Sequence, residues 1–240
     1  MEDEMNEAIE SIENEKKRPI VEMEFRVKDT LLSRKPAENS GLVAILTVIL
    51  ILFVSALAWR DPSTFNALLV GFDQVFHDGE FWRLLTAIAI HSNFQHFISN
   101  AVFLGFFSYL LFGYFGGWVF PVLVVFVGAL TNLLSLMTYP DGVRLVGASG
   151  LVYVMVGFWL TMYILVERRI SLKRRLLHGI GISLIVLLPS TIQENVSYRT
   201  HAIGFGLGSL TACGHFHLRK DQIRRQEVLE VTHQEPYWQM

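Results

Sequence analysis

The chain has 240 residues, 52% hydrophobic and only 18% charged, a balance too apolar for a soluble domain and one that points to several membrane spans. The net charge of −2 says nothing about partners, but the charges cluster in residues 1 to 40, in Glu167 to Arg175 and in Arg219 to Glu230, with long uncharged tracts between. A single cysteine excludes an internal disulfide framework. The absence of G-x-x-x-x-G-K, of C-x-x-C and of any nucleic-acid module leaves no reason to expect a cofactor, a metal or a nucleic-acid partner. Cys213, among apolar neighbours, is expected to be buried in packing.

Residues 1 to 40 form a polar tail with an acidic start, Glu2-Asp3-Glu4 through Glu15, then Lys16-Lys17-Arg18, with some order expected around Ile20 to Val27. The first span is expected over 41–59, continuously apolar from Leu42 to Val54, with Trp59 at its edge where an amphipathic ring favours the interface. Ala56-Leu57-Ala58 imitates a signal-peptidase site. A long acidic leader is the wrong flank for a signal peptide, however, so an uncleaved signal anchor is expected. From Arg60-Asp61-Pro62 to about Ala89 runs a greasy connection holding Phe65, Leu68, Phe72, Phe76, Phe81 and Trp82, expected to lie in the interface. Further spans are expected over 93–114, 118–137, 149–166, 176–189 and 201–217, with Gly116-Gly117 as the turn between the second and third, and 218–240 forms a C-terminal tail.

Six spans place both termini on one side. The basic flanks Arg34-Lys35, Arg168 to Arg175 and Arg219 to Arg225 fall on that same side, which the positive-inside rule makes cytoplasmic, in a cytoplasmic membrane of bacterial type. Spans two, four and six then all begin at the outer face, and each begins with polar residues: His91, His96 and Asn100; Ser149; His201. Polar groups at membrane depth are costly and point to function when they converge. His96 and Asn100 are four residues apart and share a helix face; Tyr153 stands one turn from Ser149; His201 lies one turn above Gly204 on the Gly204-x-x-x-Gly208 face, which permits close helix approach, with Gly206 beside it. If that face packs on span four, the His201 imidazole comes within hydrogen-bonding reach of the Ser149 hydroxyl as its general base.

Each feature has a bland alternative: an N-capping serine, a structurally bonded histidine, a dimerising glycine stripe. Their convergence at one leaflet favours catalysis. His178, His215, His217 and His233 lie at span ends or in the tail, and His77 sits in the first connection with no partner in sight. No Asp or Glu falls in the apolar part of a span and there is no H-E-x-x-H, so intramembrane aspartyl and zinc-protease chemistries are excluded, and no carboxylate is at hand to orient His201.

The chain from about Arg60 to His217 resembles the rhomboid intramembrane serine proteases of the basic six-span form. The resemblance rests on Glu80-Phe81-Trp82-Arg83, on His91 with His96-x-x-x-Asn100, on Gly147-Ala148-Ser149-Gly150 with Tyr153, and on His201-x-x-Gly204-x-x-x-Gly208. It implies an all-α, six-transmembrane-helix bundle with an interfacial first loop, acting on transmembrane protein substrates in the lipid bilayer. It implies Ser149 as nucleophile and His201 as base, with Tyr153 packing on His201. The oxyanion donors would be the Ser149 N–H and the His96 and Asn100 side chains, and Trp82 and Arg83 would be structural. Thr200, before the base, departs from the smaller residue usual there. The rival readings are a non-catalytic relative that binds membrane helices, which would lack the serine or the histidine, and a small transporter, which would show internal repeats and interrupted helices.

Overall fold

The computed structural model describes residues 1, 3, 5–7, 23–140, 142–187 and 197–233. The acidic run, most of the 190–200 connection and the end of the expected fifth span therefore lie largely outside the described residues. In chain order the elements are β1 (Met23–Asp29), a 3-10 turn (Leu31–Ser33), α1 (Ser40–Arg60), α2 (Pro62–Leu68), β2 (Val70–Gly71), α3 (Phe72–Phe76), α4 (Arg83–Ala89), α5 (Phe94–Gly117), a π-type turn (Trp118–Leu123), α6 (Val124–Leu136), β3 (Arg144–Leu145), α7 (Ser149–Val166), α8 (Leu172–Leu187), α9 (Tyr198–Arg224) and β4 (Val228–His233). The chain is an all-α membrane protein. Three helical stretches, Ser40–Arg60, Phe94–Leu136 and Ser149–Val166, are long and apolar enough to cross a bilayer.

Phe94–Leu136 is 43 residues long, which as one straight helix would reach about 65 Å, twice a hydrocarbon core. It breaks at Gly116, whose φ of 79° suits glycine, and again at Phe120, extended before Pro121. The two halves, α5 and α6, both pack on α7. α1 turns Ser40, Ala44, Ile51, Ser55 and Ala58 inward and leaves Leu42, Ile45, Leu46, Ile49, Leu50 and Phe53 exposed, the apolar outer face a lipid-facing helix requires. Asp61-Pro62 ends it: Asp61 caps α2 by accepting from the Ser63 and Thr64 N–H groups at 3.0 and 3.1 Å, with Pro62 at the first helical position.

α7 is the hub. Every residue from Gly150 to Phe158 is buried, and its largest interface is with α9, where Gly204 lies on the Gly150 carbonyl and Gly208 on that of Val154. A Cβ at Gly204 would stand 2.6 Å from the Gly150 oxygen, so the backbones touch only because both positions lack side chains. Gly206 faces open space and takes no part.

At the end of α7 away from Ser149, the two tails meet. β1 pairs antiparallel with β4, Phe25 opposite Val231 and Val27 opposite Leu229. The pair is strapped to the helix ends by Glu227, which accepts from Arg168 and Arg224 at 3.0 and 2.5 Å, and by Arg34, which donates to the Gln226 carbonyl at 2.9 Å. Beside it the Arg169 guanidinium, hydrogen-bonded to Glu167, holds that carboxyl below the usual carboxylate range.

Two expectations are corrected. Cys213 is exposed, because it falls next to the inward-facing Ala212 on the outer side of α9. His77 has a partner: its Nδ1 lies 3.2 Å from Asp73 Oδ1, one turn back in the first turn of α3.

Candidate active site

The loop before α7 is fixed before the helix starts. Gly147 has φ +108°, which L side chains rarely adopt, and its N–H donates to the Ala87 carbonyl of α4 at 2.8 Å. A Cβ there would stand 2.7 Å from His96 Cε1 and 2.9 Å from Nε2, so the His96 ring lies directly on the turn. The next residue is held by His91, whose Nε2 accepts from the Ala148 N–H at 3.2 Å. With Nε2 accepting, the His91 proton sits on Nδ1 and is given to Ser55 Oγ, 3.2 Å away on α1; Ser55 in turn donates to the Ala89 carbonyl. Trp59 Nε1 holds the His91 carbonyl at 2.7 Å. His91 is thus a fully buried strut between the first helix and the turn before Ser149.

Burial, reinforced by nearby His96, pushes the His91 imidazole from the ordinary 6.5 down to about 3. A folded-state value below the unfolded one means the unfolded chain binds the proton more readily. The stabilisation is complete above pH 6.5 and is lost as pH falls from 6.5 toward 3. Thermal unfolding in detergent should therefore weaken across that window, by up to about 1.4 kcal/mol per pH unit from this group. His91→Gln should melt lower at neutral pH and show a shallower acid slope; an unchanged slope would remove His91 as the cause.

Ser149 opens α7, where the first N–H groups of a helix have no intrahelical acceptor and point outward as ready donors. Tyr153 lies four residues on, about 6 Å along the axis. The His201 ring stacks on it with centroids 4.0 Å apart and planes 14° from parallel. His201 comes from the first turn of α9 and is 6% exposed; its buried Nδ1 has no hydrogen-bond partner among the described residues, so ring stacking and backbone placement set its orientation. No hydrogen bond joins Ser149 to His201 in the described residues, an arrangement common before substrate tightens a site. Gly150 permits the approach: a Cβ there would press on the Thr200 methyl at 3.1 Å.

His96 is half-buried, with Nδ1 3.1 Å from Ser92 Oγ, which leaves Nε2 toward the turn. Asn100, buried one turn further, spends one amide proton on the His96 carbonyl at 2.9 Å and keeps a second. The structure thus gathers Gly147, Ser149, Gly150, Tyr153, His91, His96, His201 and Gly204 at one end of the bundle. Trp82 and Arg83 lie outside this cluster. Arg83 pairs with Glu80 and donates to the Asn66, Ala67 and Leu69 carbonyls at 2.7, 2.5 and 3.1 Å, under the Trp82 ring at 4.8 Å. Those carbonyls close α2, and α4, which starts at Arg83, holds Gly147 through Ala87. Arg83→Ala should leave these carbonyls without their donor and lower stability by about 1.5–3 kcal/mol, read as a drop in melting temperature. A melting temperature within error of wild type would show that the guanidinium does not support this corner.

Ser55, Ser92 and the hydroxyls near Thr200 do not stand out in sequence. A serine in an apolar helix carries no signal until its cross-helix partner is known.

A helical bundle with a serine at the start of one helix and a histidine stacked beside it on its neighbour defines an integral membrane protein with a buried polar site. The Rhomboid domain family model matches residues 78–217, more than half of the chain and all of the residues just described except Ser55, Trp59, Asn66, Ala67 and Leu69. The chain belongs to the rhomboid family. Among curated proteins it is similar to one from Bacillus subtilis (strain 168) named "Putative rhomboid protease YdcA", 28% identical over 156 residues, which span 65% of this chain and 75% of that protein.

Proposed function

We propose that the protein is an intramembrane serine endopeptidase that hydrolyses peptide bonds in or near transmembrane segments through a Ser149–His201 dyad. The observation that carries this reading is the His201 imidazole stacked on Tyr153, one helical turn from the serine that opens α7. In the proposed reaction His201 takes the Ser149 hydroxyl proton as Oγ attacks the scissile carbonyl. The oxyanion is met by the Ser149 N–H, His96 and Asn100. The proton then passes to the leaving amine, and water, deprotonated by the same imidazole, releases the acyl group. Tyr153 does for the ring what a carboxylate does in a triad, holding its plane without adding charge.

The proposed topology has six spans, α1, α5, α6, α7, α8 and α9, with both termini cytoplasmic and the site open to the outer face. α8 supports a role as the movable wall by which substrate enters: its described interface is essentially with α7, and Leu176, Leu177, Ile180, Leu184 and Ile185 are exposed. A helix offers no strained or unpaired peptide bond to attack, so substrates should be segments weakened by Gly, Pro or polar residues. The non-catalytic alternative is disfavoured because both the serine and the histidine are in place. The purified protein in proteoliposomes should cut a reporter whose transmembrane segment carries a Gly-Pro break and spare the same reporter with a poly-Leu segment. Failure to cut any of a panel of such helix-weakened reporters would favour the binding role.

A further inference from the structure

The dyad draws its two members from different helices, so its geometry depends on what fixes the first turn of α9. Ser197 stands at the N-cap of that helix, yet its hydroxyl caps no backbone N–H. It donates instead to Thr200 Oγ1, and it lies 2.6 Å from the Tyr139 hydroxyl. Because Ser197 gives its one proton to Thr200, Tyr139 is the donor in the second bond: the three hydroxyls form a directed chain, Tyr139 to Ser197 to Thr200. Next to it, the Arg199 guanidinium donates to the Thr138 carbonyl and sits 5.3 Å over the Tyr139 ring. Thr138 and Tyr139 follow directly on the end of α6.

The chain ends at the base. Thr200 is 4% exposed, immediately precedes His201, and rests its methyl against Gly150, the residue after the nucleophile. The His201 N–H donates to the Ser197 carbonyl at 3.1 Å, so Ser197 touches both the hydroxyl chain and the backbone of the base. Among the described residues the buried His201 Nδ1 has no hydrogen-bond partner, so the Tyr153 stack and this turn carry the placement of the ring.

We propose that Tyr139, Ser197 and Thr200 are positioning residues for the base: their hydroxyl chain, clamped by Arg199 on Thr138, sets the first turn of α9 so that the His201 imidazole addresses Ser149. The inference rests on the dyad proposed above and adds to it the reason a threonine occupies position 200. A hydroxyl is required there to receive Ser197, and a methyl to seat on Gly150. Serine would supply the hydroxyl without that methyl, and alanine or glycine would supply neither.

The test uses the full chain, purified in detergent, as Tyr139→Phe, Thr200→Val, the double variant and Thr200→Ser. Three quantities are read: the rate of Ser149 labelling by a fluorophosphonate, kcat and KM on a transmembrane reporter, and the melting temperature. Each of Tyr139→Phe and Thr200→Val is expected to lower labelling and kcat on the order of tenfold while KM stays within about twofold of wild type. The double variant should be no slower than the slower single, since either change breaks the same chain. Thr200→Ser, which keeps the hydroxyl, should label faster than Thr200→Val. Wild-type labelling rates in both Tyr139→Phe and Thr200→Val, or independent multiplying effects in the double variant, would overturn the positioning role. So would a Thr200→Ser protein as slow as Thr200→Val, because restoring the hydroxyl would then restore no labelling. If the wild-type protein itself resists labelling at Ser149, the dyad is rejected and the positioning role with it; labelled wild type with indifferent variants rejects the positioning role alone.

Discussion

Ser149→Ala and His201→Ala are each expected to stop cleavage of a transmembrane reporter, with a loss on the order of a millionfold in turnover and a residue of activity below ordinary detection. Loss of either member removes the same event, transfer of the hydroxyl proton as Oγ attacks. The double variant should therefore be no worse than the single ones. The Ser149 hydroxyl makes no hydrogen bond with the described residues and the residue is half-buried, so its truncation should barely move the melting temperature. His201 is buried against Tyr153, and its removal should also cost some stability through the lost stack. Measurable turnover by folded Ser149→Ala would end the covalent mechanism.

The next largest effect is expected at His96 and Asn100, because they are proposed to meet charge that exists only in the transition state. His96→Ala and Asn100→Ala should each lower kcat about a hundredfold to a thousandfold, roughly 2.7 to 4 kcal/mol, with KM little changed, since the remaining donors still hold the oxyanion. The structure sharpens the contrast between the two. His96 Nε2 already lies against Gly147, whereas Asn100 gives one proton to the His96 carbonyl and has only the other to offer. If Asn100 were merely closing its own helix turn, Asn100→Ala would lower the melting temperature and leave turnover per folded molecule unchanged. Measuring both quantities on the same preparation separates these outcomes.

The start of α7 is legible in sequence because several local signals agree there: a polar, glycine-bearing loop, a small hydroxyl and then an almost wholly apolar run from Leu151 to Val166. The Gly204-x-x-x-Gly208 stripe is equally local, and it lies on the Gly150 and Val154 carbonyls of α7. What sequence does not carry is pairing across distance. β1 and β4 are some two hundred residues apart, each short, and each in a tail whose charges mask its alternation; their register exists only once the helix ends bring them together. The orientation of Cys213 is not legible in the sequence for a related reason. α9 is apolar on several sides, so composition cannot distinguish the face toward α7 from the outer one. His91 stands out in sequence, but its function as a strut depends on Ser55 and Ala148, which no spacing rule connects to it. The greasy connection after Arg60 likewise looks like one stretch in sequence. Its capping signal, Asp61 with Pro62, was present, but α2, α3 and α4 are too short to show a helical period.

The central claim is that His201 activates Ser149, and it is met most directly by the chemistry of that one hydroxyl. Purified protein treated with a fluorophosphonate, which phosphonylates activated serines, should carry the adduct on Ser149 when its peptides are examined by mass spectrometry. The adduct should be absent from Ser149→Ala and His201→Ala preparations that melt cooperatively. A folded wild-type protein that stays unlabelled, carries the adduct on another serine, or labels at Ser149 equally well without His201 would contradict the account.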